Sequence, residues 1–402
     1  MARELTEETK AIVRATVPAL AAHGTDITAA MYTRLFQDDE VKNLFNQSNQ
    51  GEGGRQTKAL AHAILAYAQN IDNLGVLGGA VERIAQKHVG LHIQPHHYPH
   101  VATALLAAIK DVLGDLATDD ILNAWGEAFW FLADILIGRE KQVYHELSSA
   151  DGGWNGWRRF RVAAKRKESD IITSFVLEPE DGGSVVLHRP GQYLTFKVAI
   201  PGNGEHRRNY SISSAPSGHT YRISVKREPL GLISNHLHDF VSEGDVLDVA
   251  PPTGDFFLKE GTRRPVILLS GGVGLTPMVS MLEAIAATNE DATVHYVHGT
   301  QDSKVHAMGD HVRKLTLGRD GLQSAIFYRT PHETDEKGVH YDHEGYVTVE
   351  WLAENTPLSE ADVYLCGPKP FLATFVHGLA RAGVSSERLH YEFFGPADEL
   401  AA

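Results

Sequence analysis

Residues 143–164 read VYHELSSADGGWNGWRRFRVAA, and within them the periodicity of the chain changes. Before them, apolar residues recur at helical spacing. Asp119 to Leu147 puts Trp125, Phe129, Leu132, Leu136 and Val143 on one stripe, which predicts a long amphipathic helix. The run DGGWNG at 151–156 breaks that pattern. After it come short alternating runs, FRVAA, IITSFVLEP, QYLTFKVAI, TYRISVKRE and DVLDVAPP, read as an antiparallel barrel reaching about residue 260. From PVILL at 265 the texture changes again. ATVHYVHG, SAIFYRT and DVYLCG alternate with helical segments such as MVSMLEAIAAT and PFLATFVHGLARAG, the pattern of a parallel, nucleotide-binding sheet. A chain of 402 residues is too long for one core. The fold class expected is multidomain: all-α over residues 1–148, an antiparallel β-barrel over 149–261, and an α/β domain with a parallel sheet over 262–402. No internal repeat or low-complexity tract is present.

Composition narrows the function classes. With 43% apolar and 22% charged residues the chain reads as an ordinary folded enzyme. A net charge of -14 argues against nucleic acid as a partner. The single cysteine, Cys366, excludes an internal disulfide, and the opening MARELTEETK is charged where a secretory signal is apolar, so a cytoplasmic location is expected. The most apolar stretch, AFWFLADILI at 128–137, carries Asp134 and is far short of the roughly 20 residues that span a bilayer, so no membrane span is expected.

Among 22 histidines, His88 stands out. In AVERIAQKHVG, Val81, Ile84, Ala85, His88 and Val89 share one helical face, so the imidazole points at the core. Taken alone, a core histidine held by a carbonyl is the plainer reading. Two further residues bear on it. Tyr98 opens the next helix on the face of Val101, Leu105 and Ile109, and its hydroxyl enters the interior needing a partner. Glu140, between Leu136 and Tyr144, sits at the edge of an apolar stripe, unless it belongs to the solvated run REK. A haem-bound histidine commonly donates its second ring proton to such an acceptor. Tyr32, in TAAMYTRLF, can supply a hydroxyl to a bound oxygen or be simply core. Gln56 and Leu60 lie one turn apart on a face continued by Ala63, Ile64 and Tyr67, with His62 on the opposite face.

The strings YTRLF, NLFNQSNQ, IAQKH, AWGEAF and GREKQVY, in this order and spacing, resemble the globin domain of flavohaemoglobins over the whole first third. That resemblance implies a haem b iron held by His88, Tyr98 and Glu140 as its partners, Tyr32 and Gln56 as distal donors, and Phe45 and Leu60 packing on the haem. The loop GEGGRQ departs from the family pattern by one extra residue.

In the barrel, RRNYSISS at 207–214 offers what a flavin needs: Arg208 as a planar cation for pyrophosphate, Tyr210 to pack beside the ring and Ser211 for its polar edge. RPGQYL stands upstream. Downstream, VKREPLGLISNHL places Gly231 and Ser234 at a helix start, where free N–H groups attract phosphate. The three elements together resemble the ferredoxin reductase family, which implies FAD bound by Tyr193, Arg208, Asn209, Tyr210 and Ser211, with Ser234 at the phosphates.

Further on, PVILL runs into SGGVGLTPM, where Gly271, Gly272 and Gly274 let the backbone approach a pyrophosphate at a helix start. It is not the Rossmann fingerprint, since Pro277 stands where the third glycine belongs. The form instead resembles the nicotinamide domain of the same reductases. This implies NADH or NADPH contacts along Gly271, Gly272, Val273, Gly274, Leu275 and Thr276, with Cys366 near the nicotinamide or simply a small buried hydrophobe. HYEFFGP at 390–396 resembles the segment beside the flavin in flavohaemoglobins and implicates Phe393, Phe394, Gly395 and Pro396. Glu392 and Lys87 are the charges that family places between the cofactors, with solvated surface residues as the alternative. Asp302, after the second strand, would repel a 2'-phosphate and leans toward NADH.

The resemblance implies a nitric oxide dioxygenase: NAD(P)H reduces FAD, FAD reduces haem iron, and oxygen at the haem converts nitric oxide to nitrate. O2 and NO are then its small-molecule partners, and a monomer is expected. Two other readings stand beside it: a haem-based oxygen or NO sensor with its own reductase, and a general NAD(P)H-dependent flavin reductase.

Overall fold

Helices form in the first third where apolar spacing calls for them, and their ends have chemical causes. The computed structural model describes residues 4–45, 55–261, 263–288 and 291–395. The helices are α1 (Glu7–Ala15), α2 (Val17–Leu35), the single turn α3 (Asp39–Lys42), α4 (Arg55–Gln69), α5 (Gly78–Gly90), α6 (Tyr98–Leu113) and α7 (Asp119–Ser149). Thr6 caps α1 by accepting the Thr9 N–H at 3.1 Å. Gly114, at φ +57, ends α6 in a conformation that β-carbon sterics deny to most residues. Asp119 and Asp120 lie in the first turn of α7, where negative charge suits the helix dipole.

The helices enclose two apolar clusters. One holds Ile27, Met31, Tyr32, Leu35, Tyr67, Leu105 and Trp125 among others. The smaller holds Ala85, Tyr98, Ala133 and Leu136. Phe129 and Leu132, only partly buried, belong to both. Among the described residues α7 is long and apolar enough to cross a membrane by length and composition. Its buried residues, including Trp125, Leu136 and Glu140, lie where it packs on α1, α5 and α6.

After the glycine-rich break come β1 (Arg158–Lys167), β2 (Ile172–Pro179), β3 (Tyr193–Ile200), β4 (Gly204–Ser211), β5 (Tyr221–Lys226) and β6 (Val246–Val249), with α8 (Leu232–Phe240) before β6. They form an antiparallel sheet in the order β4-β3-β6-β1-β2-β5. An antiparallel bridge between Ile212 and Ile223 joins its two edges, so the sheet curls on itself. The third region carries β7 (Val266–Gly271), α9 (Leu275–Thr288), β8 (Val294–Thr300), α10 (Gly309–Thr316), β9 (Leu322–Tyr328), β10 (His343–Glu344), α11 (Val349–Asn355), β11 (Asp362–Cys366), α12 (Lys369–Arg381) and β12 (Leu389–Glu392). Its parallel sheet runs β10-β9-β8-β7-β11-β12. Every residue of β7 and β11 is buried, as helix-covered parallel strands require.

By contact the chain divides into two compact units. One runs through Ser149 and includes Lys197–Arg208; the other covers Ala150–Phe196 and Asn209–Gly395, holding most of the curled sheet and all of the parallel one.

Candidate functional site

The helical unit builds its polar site from three helices. α5 carries His88 in its last turn, α6 opens with Tyr98, and α7 brings Glu140. His88 Nδ1 lies 2.7 Å from Glu140 Oε1 and 3.2 Å from the Tyr98 hydroxyl. Tyr98 donates to the same carboxylate oxygen at 2.5 Å. The Glu140 side chain is 3% exposed, so the alternative of a solvated REK run is corrected. A carboxylate only accepts, which places the ring proton of His88 on Nδ1. In the neutral imidazole Nε2 then carries the lone pair, and it has no hydrogen-bond partner among the described residues. Burial, and then the charge of Glu140, push the pKa of Tyr98 upward and keep it a donor. Lys87 is partly buried in the same turn.

Tyr32 belongs to the larger apolar cluster. Its ring lies 5.5 Å from Phe36 and 5.4 Å from Phe45, centroid to centroid. Burial raises its pKa against the opposing effect of a hydrogen bond with Gln56, so the hydroxyl stays protonated. Gln56 sits in the first turn of α4, and Phe45 and Leu60 are partly buried against the same cluster. The residues present fit a haem. A core divided in two leaves apolar side chains incompletely covered, and His88 Nε2 is the atom that would hold the iron.

In the curled sheet the flavin strings fall on β3, β4 and the start of α8. Tyr193 begins β3 and bridges Thr253; its buried hydroxyl faces the Thr253 side chain, and neither hydroxyl makes a hydrogen bond of full geometry. Such orphaned atoms are rare in proteins and fit a polar ligand in contact with them. Arg208 donates to the Arg207 carbonyl at 2.7 Å, Asn209 accepts from Thr195 Oγ1 at 2.9 Å, Tyr210 lies 5.7 Å from Phe196, and Ser211 is buried at the end of β4. Ser234 differs from expectation in one respect. Its hydroxyl accepts from Glu228 N at 3.1 Å and donates to Gly231 O at 3.2 Å, so it holds its own loop together. No side chain caps α8, and backbone N–H groups are what its start offers a phosphate.

The dinucleotide loop lies where the parallel strand order reverses, between β7 and β11, and ligands of such sheets bind there. Its three glycines do different work. Gly272 has φ +54 and open space around a would-be Cβ. At Gly274 a Cβ would stand 2.1 Å from the carbonyl oxygen of Cys366, and at Gly271 it would stand 3.1 Å from the Phe371 ring. Gly274 serves close packing of the loop on the end of β11 and Gly271 close packing on Phe371 of α12, beside the expectation that all three make room for pyrophosphate. Thr276 is 2% exposed and its hydroxyl donates to Val273 O at 3.1 Å, so it braces the loop. Leu275 is buried and Val273 packs on the same core, so their side chains are taken up by the protein. Cys366 is fully buried; burial, then the Glu392 charge, push its thiol well above the usual range. Glu392 ends β12 opposite Cys366. Phe393 and Gly395 close a tight turn by a 2.8 Å backbone bond, with Phe394 48% exposed. Pro396 lies outside the described residues.

Sequence reasoning passed over Thr253, His188, Arg222 and Glu283. Glu283 had a signal: it is the one charged residue in LTPMVSMLEAIAAT, and its side chain is 13% exposed.

Three family models match in succession: Globin over residues 29–136, Oxidoreductase FAD-binding domain over 159–258, and Oxidoreductase NAD-binding domain over 268–377. A flavohemoprotein of Xylella fastidiosa is 53% identical over 402 residues, covering 100% of both chains. A flavohemoglobin structure from Malassezia yamatoensis, with bound FAD and haem, covers 97% of this chain and 100% of that one at 26% identity, with a TM-score of 0.86. The FAD/NAD-binding domain of a nitric oxide dioxygenase from Vibrio cholerae is 38% identical over 60% of this chain and 100% of its own, with a TM-score of 0.55. With the helices, the curled sheet and the parallel sheet in the same order as in relatives alike over their full length, the chain belongs to the flavohemoprotein family, oxidoreductases that join a haem globin to an FAD- and NAD-dependent reductase.

Proposed function

We propose that the chain is an NAD(P)H-dependent nitric oxide dioxygenase, taking NO and O2 as substrates and releasing nitrate. When bound, the nicotinamide supplies a hydride, FAD divides it into single electrons, and the haem iron brings oxygen and nitric oxide together. The observation that carries the reading is the 2.7 Å bond from His88 Nδ1 to the buried Glu140 carboxylate. That bond fixes the tautomer and the ring orientation and raises the basicity of Nε2, the atom that would hold the haem iron, a tuning that would favour oxygen chemistry over reversible carriage. Tyr98 steadies the carboxylate by donating to the same oxygen. Tyr32, held protonated by burial and joined to Gln56, supplies a hydroxyl donor toward a partly negative oxygen. Arg208, Tyr210, Ser211 and the start of α8 would hold the flavin, while Gly272 and the start of α9 would take the nicotinamide pyrophosphate. The matched family spans fall inside the divisions expected after residues 148 and 261, which supports three functional modules. The activity named for the Vibrio cholerae relative supports the reaction.

The test is NO consumption by haem- and FAD-loaded protein with NADH and oxygen. Wild type should consume NO rapidly and form nitrate. His88→Ala should abolish this, and Tyr32→Phe should slow it about a hundredfold, the scale of losing one positioned donor. Oxygen-independent or absent NO loss in wild type would overturn the reading.

A further inference from the structure

Within the second unit, α9 meets the curled sheet along a seam that involves none of the residues assigned above. His188 Nε2 lies 3.0 Å from Ser214 O and 3.3 Å from Ser280 Oγ, and the Ser280 hydroxyl donates to that same carbonyl at 2.7 Å. At Gly191, with φ +111, α9 comes close: a Cβ there would stand 2.6 Å from Met281 Cε. The charged node is Glu283. Its carboxylate accepts from Arg222 Nη2 at 2.6 Å, from His311 Nε2 at 2.6 Å and from the Ala215 N–H at 2.7 Å. Burial pushes its pKa up, but His311, Arg222 and Ala215 together hold it below the ordinary carboxylate value.

The members of this seam are neighbours in sequence of the candidate cofactor contacts. Ser214 and Ala215 stand three and four positions after Ser211, and Gly191 stands two positions before Tyr193. Glu283 lies about two and a half turns along the helix that starts at the dinucleotide loop. One carboxylate thus binds a strand of the sheet, the segment leaving the flavin string, α10 and the dinucleotide helix. Three charge-assisted bonds at such distances resist sliding, since any shift leaves a buried charge poorly satisfied.

We propose that Glu283 is a positioning residue for hydride transfer, setting the stand-off between the dinucleotide loop and the flavin strand. The inference rests on the reading that FAD and NAD(P)H occupy those two places. The step it governs is the movement of one proton with two electrons from the reduced nicotinamide, which becomes oxidised, to the oxidised flavin, which becomes reduced. Such a transfer needs reacting atoms within roughly 3–3.5 Å, and a misplacement of about 1 Å costs on the order of a hundredfold.

The experiment compares haem- and FAD-loaded wild type, Glu283→Gln and His311→Gln. It follows anaerobic flavin bleaching by NADH, the isotope effect with NADH deuterated at the transferred position, FAD affinity, and amide exchange at Ala215. Glu283→Gln should slow bleaching about tenfold or more, change the NADH KM less than about threefold, raise the isotope effect and speed exchange at Ala215, with FAD affinity within about twofold of wild type. His311→Gln, on the exposed side of the node, should slow bleaching about twofold to fourfold. Wild-type bleaching in Glu283→Gln, or a loss that only tracks FAD release, overturns the inference. If Glu283→Gln fails to fold, a wild-type rate and isotope effect in His311→Gln overturn it instead. Wild-type protein that NADH cannot bleach overturns the functional reading and this inference with it.

Discussion

The histidine site and the dinucleotide loop are built by opposite means. Around His88, identity resides in side chains: an imidazole, a phenol and a carboxylate satisfy one another inside an apolar unit. Around Gly272, side chains turn into the core and the backbone is left to make contact. The lesson is that the first region is sensitive to functional groups and the second to the addition of a single carbon.

The sharpest test of that contrast is Gly274→Ala. Its new Cβ would lie 2.1 Å from a backbone carbonyl, so loop or strand must move. Flavin reduction by NADH should fall by about a hundredfold or more, while the spectrum of chemically reduced haem stays as in wild type. Gly272→Ala, with φ +54 but open space, should cost only about 1–2 kcal/mol in the same assays. Equal effects at the two glycines would break the comparison.

Acid gives the next largest effect. Burial pushes both His188 and His306 in the second unit down to about 4 from 6.5. A lowered histidine binds fewer protons folded than unfolded, so stability is intact above pH 6.5 and is lost as pH falls from there toward 4. Each group should withdraw on the order of 3 kcal/mol by the end of that window. Thermal release of FAD, followed by its fluorescence, should therefore move to lower temperature between pH 6.5 and 4. A flat profile would show those histidines to be solvated.

The smallest expected change is the most selective. Glu140→Gln keeps the shape but gives Tyr98 and His88 a weaker acceptor, at a cost of about 1–3 kcal/mol. Haem reduction should slow about tenfold, and flavin reduction by NADH should remain at the wild-type rate. Slowing of both would mean that the two regions are not independent.

These differences also explain what could be read from the chain alone. His88 and Tyr98 were legible because helical periodicity puts them on apolar faces, and the helix starts at Tyr98 as the pattern implies. Glu140 was ambiguous for a local reason: its neighbours in REK are charged, and only the distant His88 and Tyr98 show it to be buried. The role of Gly274 was hidden altogether, since the carbonyl that demands a glycine belongs to Cys366 on a strand remote in sequence. The strand order and the grouping of two sheets into one unit rest on such non-local contacts too.

The divided core of the helical unit carries a consequence for the cell. Phe129 and Leu132 are shared between its two apolar clusters and remain partly uncovered. A cofactor that binds only the folded form stabilises it in proportion to its free concentration. Synthesis of this protein under iron or porphyrin shortage should then leave the N-terminal third the first part open to proteases, so that haem supply sets the yield of intact protein.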